Sequence, residues 1–152
     1  MGDVIRGGCR CNQLRYESTG APILSAICHC HGCQRRTGNA TGVMFLPAGE
    51  TRITGDFGSY LDPETTTPIR MLFCTHCGSS VAASAGSYPD VRIVLAASLD
   101  DPARFAPRFH MWVSAKAPWV GIDDDLPQFD GHPDWEALGG PPDLGRVSPP
   151  SA

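Results

Sequence analysis

The chain has 152 residues, of which 17 are glycine and 14 proline, about a fifth of the total and more than a helix bundle accommodates. With 41% hydrophobic residues it can bury roughly two-thirds of its unfolded surface, so one domain with one real core is expected. Twelve Lys and Arg against sixteen Asp and Glu give a net charge of −4, which offers no cationic footprint to nucleic acid or to an anionic membrane.

The N-terminal MGDVIRGG lacks the apolar core of a signal peptide. The longest strictly apolar run, Ile93 to Ala97, is far short of the ~18 residues of a spanning helix, so a cytoplasmic address is expected. Gln13 to Ser18 reads as a first strand with Leu14 and Tyr16 on one face. Cys33 to Gly38 reads as one short helical turn, in which Gln34, Arg35 and Arg36 are helix formers and Gly38 a stop. Thr41 to Leu46 is a second strand, apolar toward its end. Ile69, Met71 and Phe73 alternate into a knuckle at Cys74, and Ser79 to Ala83 leaves it as the returning strand of a hairpin. Val91, Ile93 and Leu95 alternate again, and Phe109 to Ser114 makes a last strand beyond the turn at Asp100-Asp101-Pro102. From Gly139 the sequence GGPPDLGRVSPPSA has little to bury and reads as a disordered tail, leaving residues 1–138 as the domain. The expected class is mainly β with little helix.

Seven cysteines in such a chain point to metal ligands or catalytic thiols rather than a disulfide framework, which an odd number leaves incomplete. They fall into three groups: Cys9/Cys11 as C-x-C, Cys28/Cys30/Cys33 as C-x-C-x-x-C, and Cys74/Cys77 as C-x-x-C. A C-x-x-C turn lets two thiolates reach one ion, and Gly78 just after it suits a positive φ. The two pairs together would close a four-cysteine structural site, leaving the triplet to hold a second ion with three protein ligands. A structural zinc is closed by four protein ligands, whereas catalytic sites commonly keep one position open. The residues leave two alternatives: a histidine completing the triplet, with His29, His31 and His76 nearby and each equally readable as a polar loop residue, or seven buried or redox thiols.

The segments GGCRCNQLRYE (Gly7 to Glu17), CHCHGCQRRTG (Cys28 to Gly38) and FCTHCGS (Phe73 to Ser79), in this order and spacing, closely resemble the GFA family, the glutathione-dependent formaldehyde-activating enzyme and centromere protein V group. The resemblance spans most of residues 5 to 120, and His110-Met111-Trp112 followed by Lys116 and Pro118-Trp119 resembles the family's closing strand and loop. It implies a β-tent of antiparallel sheets stapled by zinc. It also implies two zinc ions, a structural one at Cys9, Cys11, Cys74 and Cys77 and a second at Cys28, Cys30 and Cys33. The implied activity is the carbon-sulfur lyase reaction of S-(hydroxymethyl)glutathione synthase, the reversible condensation of glutathione with formaldehyde. Glutathione or another small thiol and an aldehyde would be the partners, and the oligomeric state stays open, a homodimer included. One departure is Asn12, where the family more often has glycine after the second cysteine.

Three thiolates would make zinc a weaker Lewis acid than neutral histidines do, so the triplet suits a substrate thiol better than water activation. An entering thiol would lose its proton on ligation, and the site would act by thiol activation and positioning. The catalytic set expected on this reading is Cys28, Cys30 and Cys33 with Arg35 and His110. Arg35, Arg36 and Lys116 could offset the negative cluster, hold a substrate carboxylate, or pair with Asp123 to Asp125 at the surface. Trp112 and Trp119 could wall a pocket or sit in the core, while Thr37 and Gly38 shape the turn. A second reading is a non-catalytic, zinc-stabilised interaction module, in which a histidine or a partner closes the triplet.

Overall fold

The computed structural model describes residues 3–62, 68–134 and 136–139. The expected tail therefore lies outside the described residues beyond Gly139. In chain order the elements are β1 (Ile5–Gly8), β2 (Arg15–Ser18), β3 (Leu24–Cys28), α1 (His31–Thr37), β4 (Thr41–Pro47), β5 (Thr51–Thr54), β6 (Phe57–Asp62), β7 (Ile69–Cys74), β8 (Ser80–Ala85), β9 (Tyr88–Leu95) and β10 (His110–Met111). Strands β1, β2 and β5 form an antiparallel three-stranded sheet. The others form a seven-stranded sheet in the order β10-β3-β4-β9-β8-β7-β6, antiparallel except for the β10–β3 pair. Among the described residues the architecture is mainly β with a single α-helix, as expected. No helix among the described residues is long and apolar enough to cross a membrane.

Register explains why the large sheet is apolar on both sides. Met44, Val94, Ala82 and Leu72 stand opposite one another across β4, β9, β8 and β7. This row is buried against Ile5, Leu14 and Tyr16 of the small-sheet region. On the reverse face Leu24, Phe45, Ile93, Ala83 and Met71 form a second row by the same pairings. Phe109, Phe129 and Leu138 cover its β3–β4 end. Leu14, Met44 and Leu46 are fully buried, each worth about 1.5–3 kcal/mol of transfer free energy.

The large sheet also curls. β3 and β6 lie five strand steps apart, which in a flat sheet is about 24 Å. Yet Arg36 of α1, the helix that follows β3, makes a 3.0 Å ion pair with Asp62 at the end of β6. Curvature thus brings the far edge of the sheet back to the helix that carries Cys33.

Several local expectations shift. The first strand begins at Arg15 rather than Gln13, because Cys9 to Leu14 is taken up by a loop closed by the Cys9 N–H to Leu14 carbonyl bond. The helix starts at His31, two residues early, and Gly38 ends it at φ 85°. The strand expected over Phe109 to Ser114 is only His110–Met111, because Trp112 takes a left-handed conformation and residues 113–115 form a 3-10 turn. Strands β1, β3, β5 and β6 were not anticipated from the sequence.

Asn12 adopts φ 64°, a conformation glycine takes without cost, which accounts for the glycine more usual at this position of the resembling family. Asn12→Gly is expected to stabilise the fold by up to about 1 kcal/mol, or about 2–4 °C in melting temperature for a chain of this size. A lower melting temperature would mean that the 3.2 Å bond from Arg15 Nη1 to Asn12 Oδ1 outweighs the relief of strain.

Candidate functional site

Two clusters of sulfur atoms are built by the fold. Cys9 and Cys11 leave β1 in a tight loop, and Cys74 and Cys77 stand at the β7–β8 turn. Their four Sγ atoms lie within 4.8 Å of one another, with Cys9–Cys11 at 3.5 Å and Cys11–Cys74 at 3.7 Å. A zinc tetrahedron with Zn–S of about 2.3 Å has sulfur edges of about 3.8 Å, so the four thiols fit a closed zinc site. The Gly78 N–H donates to the Cys74 carbonyl at 2.9 Å, with Gly78 at φ 75° as the spacing anticipates. The Arg10 N–H donates to Ser79 Oγ at 3.2 Å, tying the two loops to each other. The Leu14 N–H donates to Cys9 Sγ at 3.2 Å, and Ser79 Oγ lies 3.2 Å from Cys77 Sγ. These contacts hold the sulfurs in place, as backbone and hydroxyl donors do around zinc-bound thiolates.

The second cluster joins Cys28 at the end of β3 to Cys30 and Cys33 of the helix start, again within 4.8 Å of one another. Cys30 caps α1: its Sγ accepts from the Cys33 N–H at 3.3 Å. Cys28 and Cys33 are buried and Cys30 half-buried, so the cluster is approached from the Cys30 side. The three thiols perturb one another strongly. Hydrogen bonds from Cys28 and Cys33 lower the Cys30 thiol to about 2, while the bonds to Cys30 and Cys33 push Cys28 up. Three thiols at this spacing could hold a cation, which would take them as thiolates, and an all-sulfur donor set suits zinc. All seven cysteines are free of disulfides.

Among the described residues no histidine joins either cluster. His29 is a buried residue rather than a polar loop residue, and its Nε2 lies 2.9 Å from His110 Nδ1. Burial, then the charges of His110 and Lys116, push its imidazole below the ordinary histidine range. His110 Nε2 is 3.1 Å from Asp124 Oδ2, so both of its ring nitrogens are engaged away from the sulfurs. His76 is exposed on the Cys74 knuckle, and His31 faces a cleft on the outer side of α1.

The two arginines of α1 divide between its sides. Arg35, with His31, Asn39 and Trp119, lines that outer cleft of ≈ 290 Å³. Arg36 points to the triplet: its Nη2 lies 3.7 Å from Cys33 Sγ, and its Nη1 donates to Asp62 Oδ2 at 3.0 Å. Burial opposes the Arg36 charge, but Tyr60, Cys33 and Asp62 together raise it further above its ordinary value. Its partner is thus Asp62 and not one of Asp123 to Asp125. Lys116 Nζ donates to the Val120 carbonyl at 2.5 Å. Trp119 is 78% exposed and belongs to no core, whereas Trp112 is half-buried against His132. Thr37 Oγ1 bonds the Cys33 carbonyl and Thr41 Oγ1, which ties the last helical turn to β4. Sequence spacing could not single out Asp62, since nothing links it along the chain to a cysteine group.

The family model of the glutathione-dependent formaldehyde-activating enzyme matches residues 4–115. No curated protein matches the sequence significantly. Among solved structures, the crystal structure of a Rhodobacter sphaeroides protein, a structural genomics target, superposes with a TM-score of 0.50 at 18% identity. That alignment covers 82% of this chain and 98% of the other, and bears on the fold alone.

Proposed function

Because this chain belongs to the glutathione-dependent formaldehyde-activating enzyme family, we propose that it is a zinc-dependent carbon-sulfur lyase acting on adducts of an aldehyde with glutathione or a similar thiol. The observation that carries this reading is the triplet: three sulfurs within 4.8 Å of one another and no fourth donor among the described residues. Zinc held by Cys28, Cys30 and Cys33 would supply a positive charge that favours the thiolate form of an entering thiol.

The chain's own residues do the rest. Cys28 and Cys33 form the buried floor, and half-buried Cys30 leaves one side for entry. The cleft beside Arg35 and Trp119 begins at His31, next to Cys30, and Arg35 there is suited to a substrate carboxylate. His110, held between His29 and Asp124, is assigned to fixing the loop that carries Cys28 and Cys30. The four-cysteine cluster ties β1 to the β7–β8 hairpin and serves stability.

The test is formaldehyde exchange between water and glutathione, followed by NMR with micromolar protein purified under reducing conditions. Exchange well above the spontaneous rate is expected. A rate equal to the spontaneous one for every small thiol and aldehyde tried would leave the interaction-module reading in its place.

A further inference from the structure

The two cysteine clusters stand at the same end of the large sheet. β3 ends at Cys28 and β7 ends at Cys74, four strand steps away, which is about 19 Å in a flat sheet. A cleft of ≈ 500 Å³ opens at this end, lined from the Cys9–Arg15 loop, the start of β8, the turn after β9 and the last part of α1. Its size is ordinary for a small-molecule site. Cys33, Arg36 and Thr37 are spaced i, i+3 and i+4, so they share one face of α1. Arg36 and Thr37 line the cleft, and Arg36 Nη2 lies 3.7 Å from Cys33 Sγ, so the cleft adjoins the triplet along that face.

The lining carries three arginines, Arg10, Arg15 and Arg36, against one acid, Asp100. Arg15 is taken by Asp100, with Nη1 2.9 Å from Oδ1, and Arg36 by Asp62, which lies outside the lining. Arg10 enters no ion pair among the described residues. It is exposed, yet its backbone is pinned between Cys9 and Cys11 and by the N–H bond to Ser79 Oγ at 3.2 Å. A surplus guanidinium on a fixed loop suits a carboxylate brought in by a ligand.

We propose that this cleft seats a carboxylate-bearing arm of the thiol substrate and that Arg10 pairs with the carboxylate. This rests on the lyase reading above and deepens it: the substrate is an anionic peptide thiol of the glutathione class, not a small neutral thiol. Its sulfur goes to the triplet, and its arm extends past Arg36 toward Arg10. Glutathione carries a second carboxylate, for which Arg35 on the outer side of α1 remains. Because Arg10 stands between Cys9 and Cys11, the four-cysteine cluster would then position a substrate contact as well as stabilise the fold. The rival role for Arg10 is to offset the negative charge of four metal-bound thiolates, and it predicts a different response to substitution.

The probe is S-methylglutathione, which keeps both carboxylates but has no thiol to ionise, so its binding reports on the cleft apart from any chemistry at the triplet. Titrated into the reduced protein and followed by NMR, it is expected to shift the backbone amides of Arg10, Ser80 and Ala97. Its dimethyl ester, with the carboxylates neutralised, should bind at least about tenfold more weakly. Arg10→Gln is expected to keep the wild-type zinc count and melting temperature while weakening S-methylglutathione about tenfold. In formaldehyde exchange the same variant should lose the wild-type preference for glutathione over 2-mercaptoethanol. Equal affinity for acid and ester, shifts confined to the His31 and Arg35 cleft, or an Arg10→Gln protein that binds as wild type would each overturn the proposal. Loss of zinc or a much lower melting temperature in Arg10→Gln would also overturn it, by assigning Arg10 to the cluster. Wild-type protein that binds the probe in the cleft yet exchanges formaldehyde with no thiol would remove the lyase reading and leave the carboxylate site standing.

Discussion

Cys74→Ser should leave the chain without a cooperative fold. Cys74 is buried at the end of β7 and belongs to the main core as well as to the four-sulfur cluster. A structural zinc of this type contributes on the order of 10 kcal/mol, comparable with the whole net stability of a domain, about 5–15 kcal/mol. Serine keeps the size of the side chain but is a poor zinc ligand. Circular dichroism and a thermal melt of the variant should show no sharp transition, and zinc analysis should show loss of the metal held at Cys9, Cys11, Cys74 and Cys77. A cooperative melt within a few degrees of wild type would show that the cluster does not carry the fold.

Cys30→Ser should do the opposite, sparing the fold and abolishing the chemistry. The Cys30 side chain caps α1 through the Cys33 N–H, and serine is among the best residues for that position. Two thiols would remain in the triplet, too few to hold the second ion firmly. Residues that merely support a metal ligand are worth about 10–100-fold when removed, so loss of a ligand should cost more than about 100-fold in exchange rate. A near-wild-type melt with exchange reduced to the spontaneous rate is the expected outcome. Unfolding on a par with Cys74→Ser would assign the triplet to structure.

The cysteine groups were fully legible in the sequence because each pair of ligands is separated by one or two residues, and such spacing is a local property of a turn. The hairpin of β7 and β8 was legible for the same reason, its alternation running straight into a knuckle. Strand β3 was not: four of the five residues of LSAIC are buried, and a run covered on both faces shows no alternation. β6 was missed from the other side, since as an edge strand it leaves Phe57, Tyr60 and Leu61 exposed. Its end carries Asp62, which reaches Arg36 only because the sheet curls. The pairing of His29 with His110 and Asp124 is equally non-local, made by the parallel register of β10 on β3. Local spacing thus revealed the two cysteine clusters, and tertiary curvature supplied the polar groups around them.

The most direct test of the central claim is a native mass spectrum of freshly reduced protein, recorded without and with glutathione. Two zinc ions per chain, and a glutathione complex that disappears in Cys30→Ser, are expected. Two zinc ions with no glutathione bound at any concentration, or one zinc ion only, would contradict a glutathione-accepting zinc site at Cys28, Cys30 and Cys33.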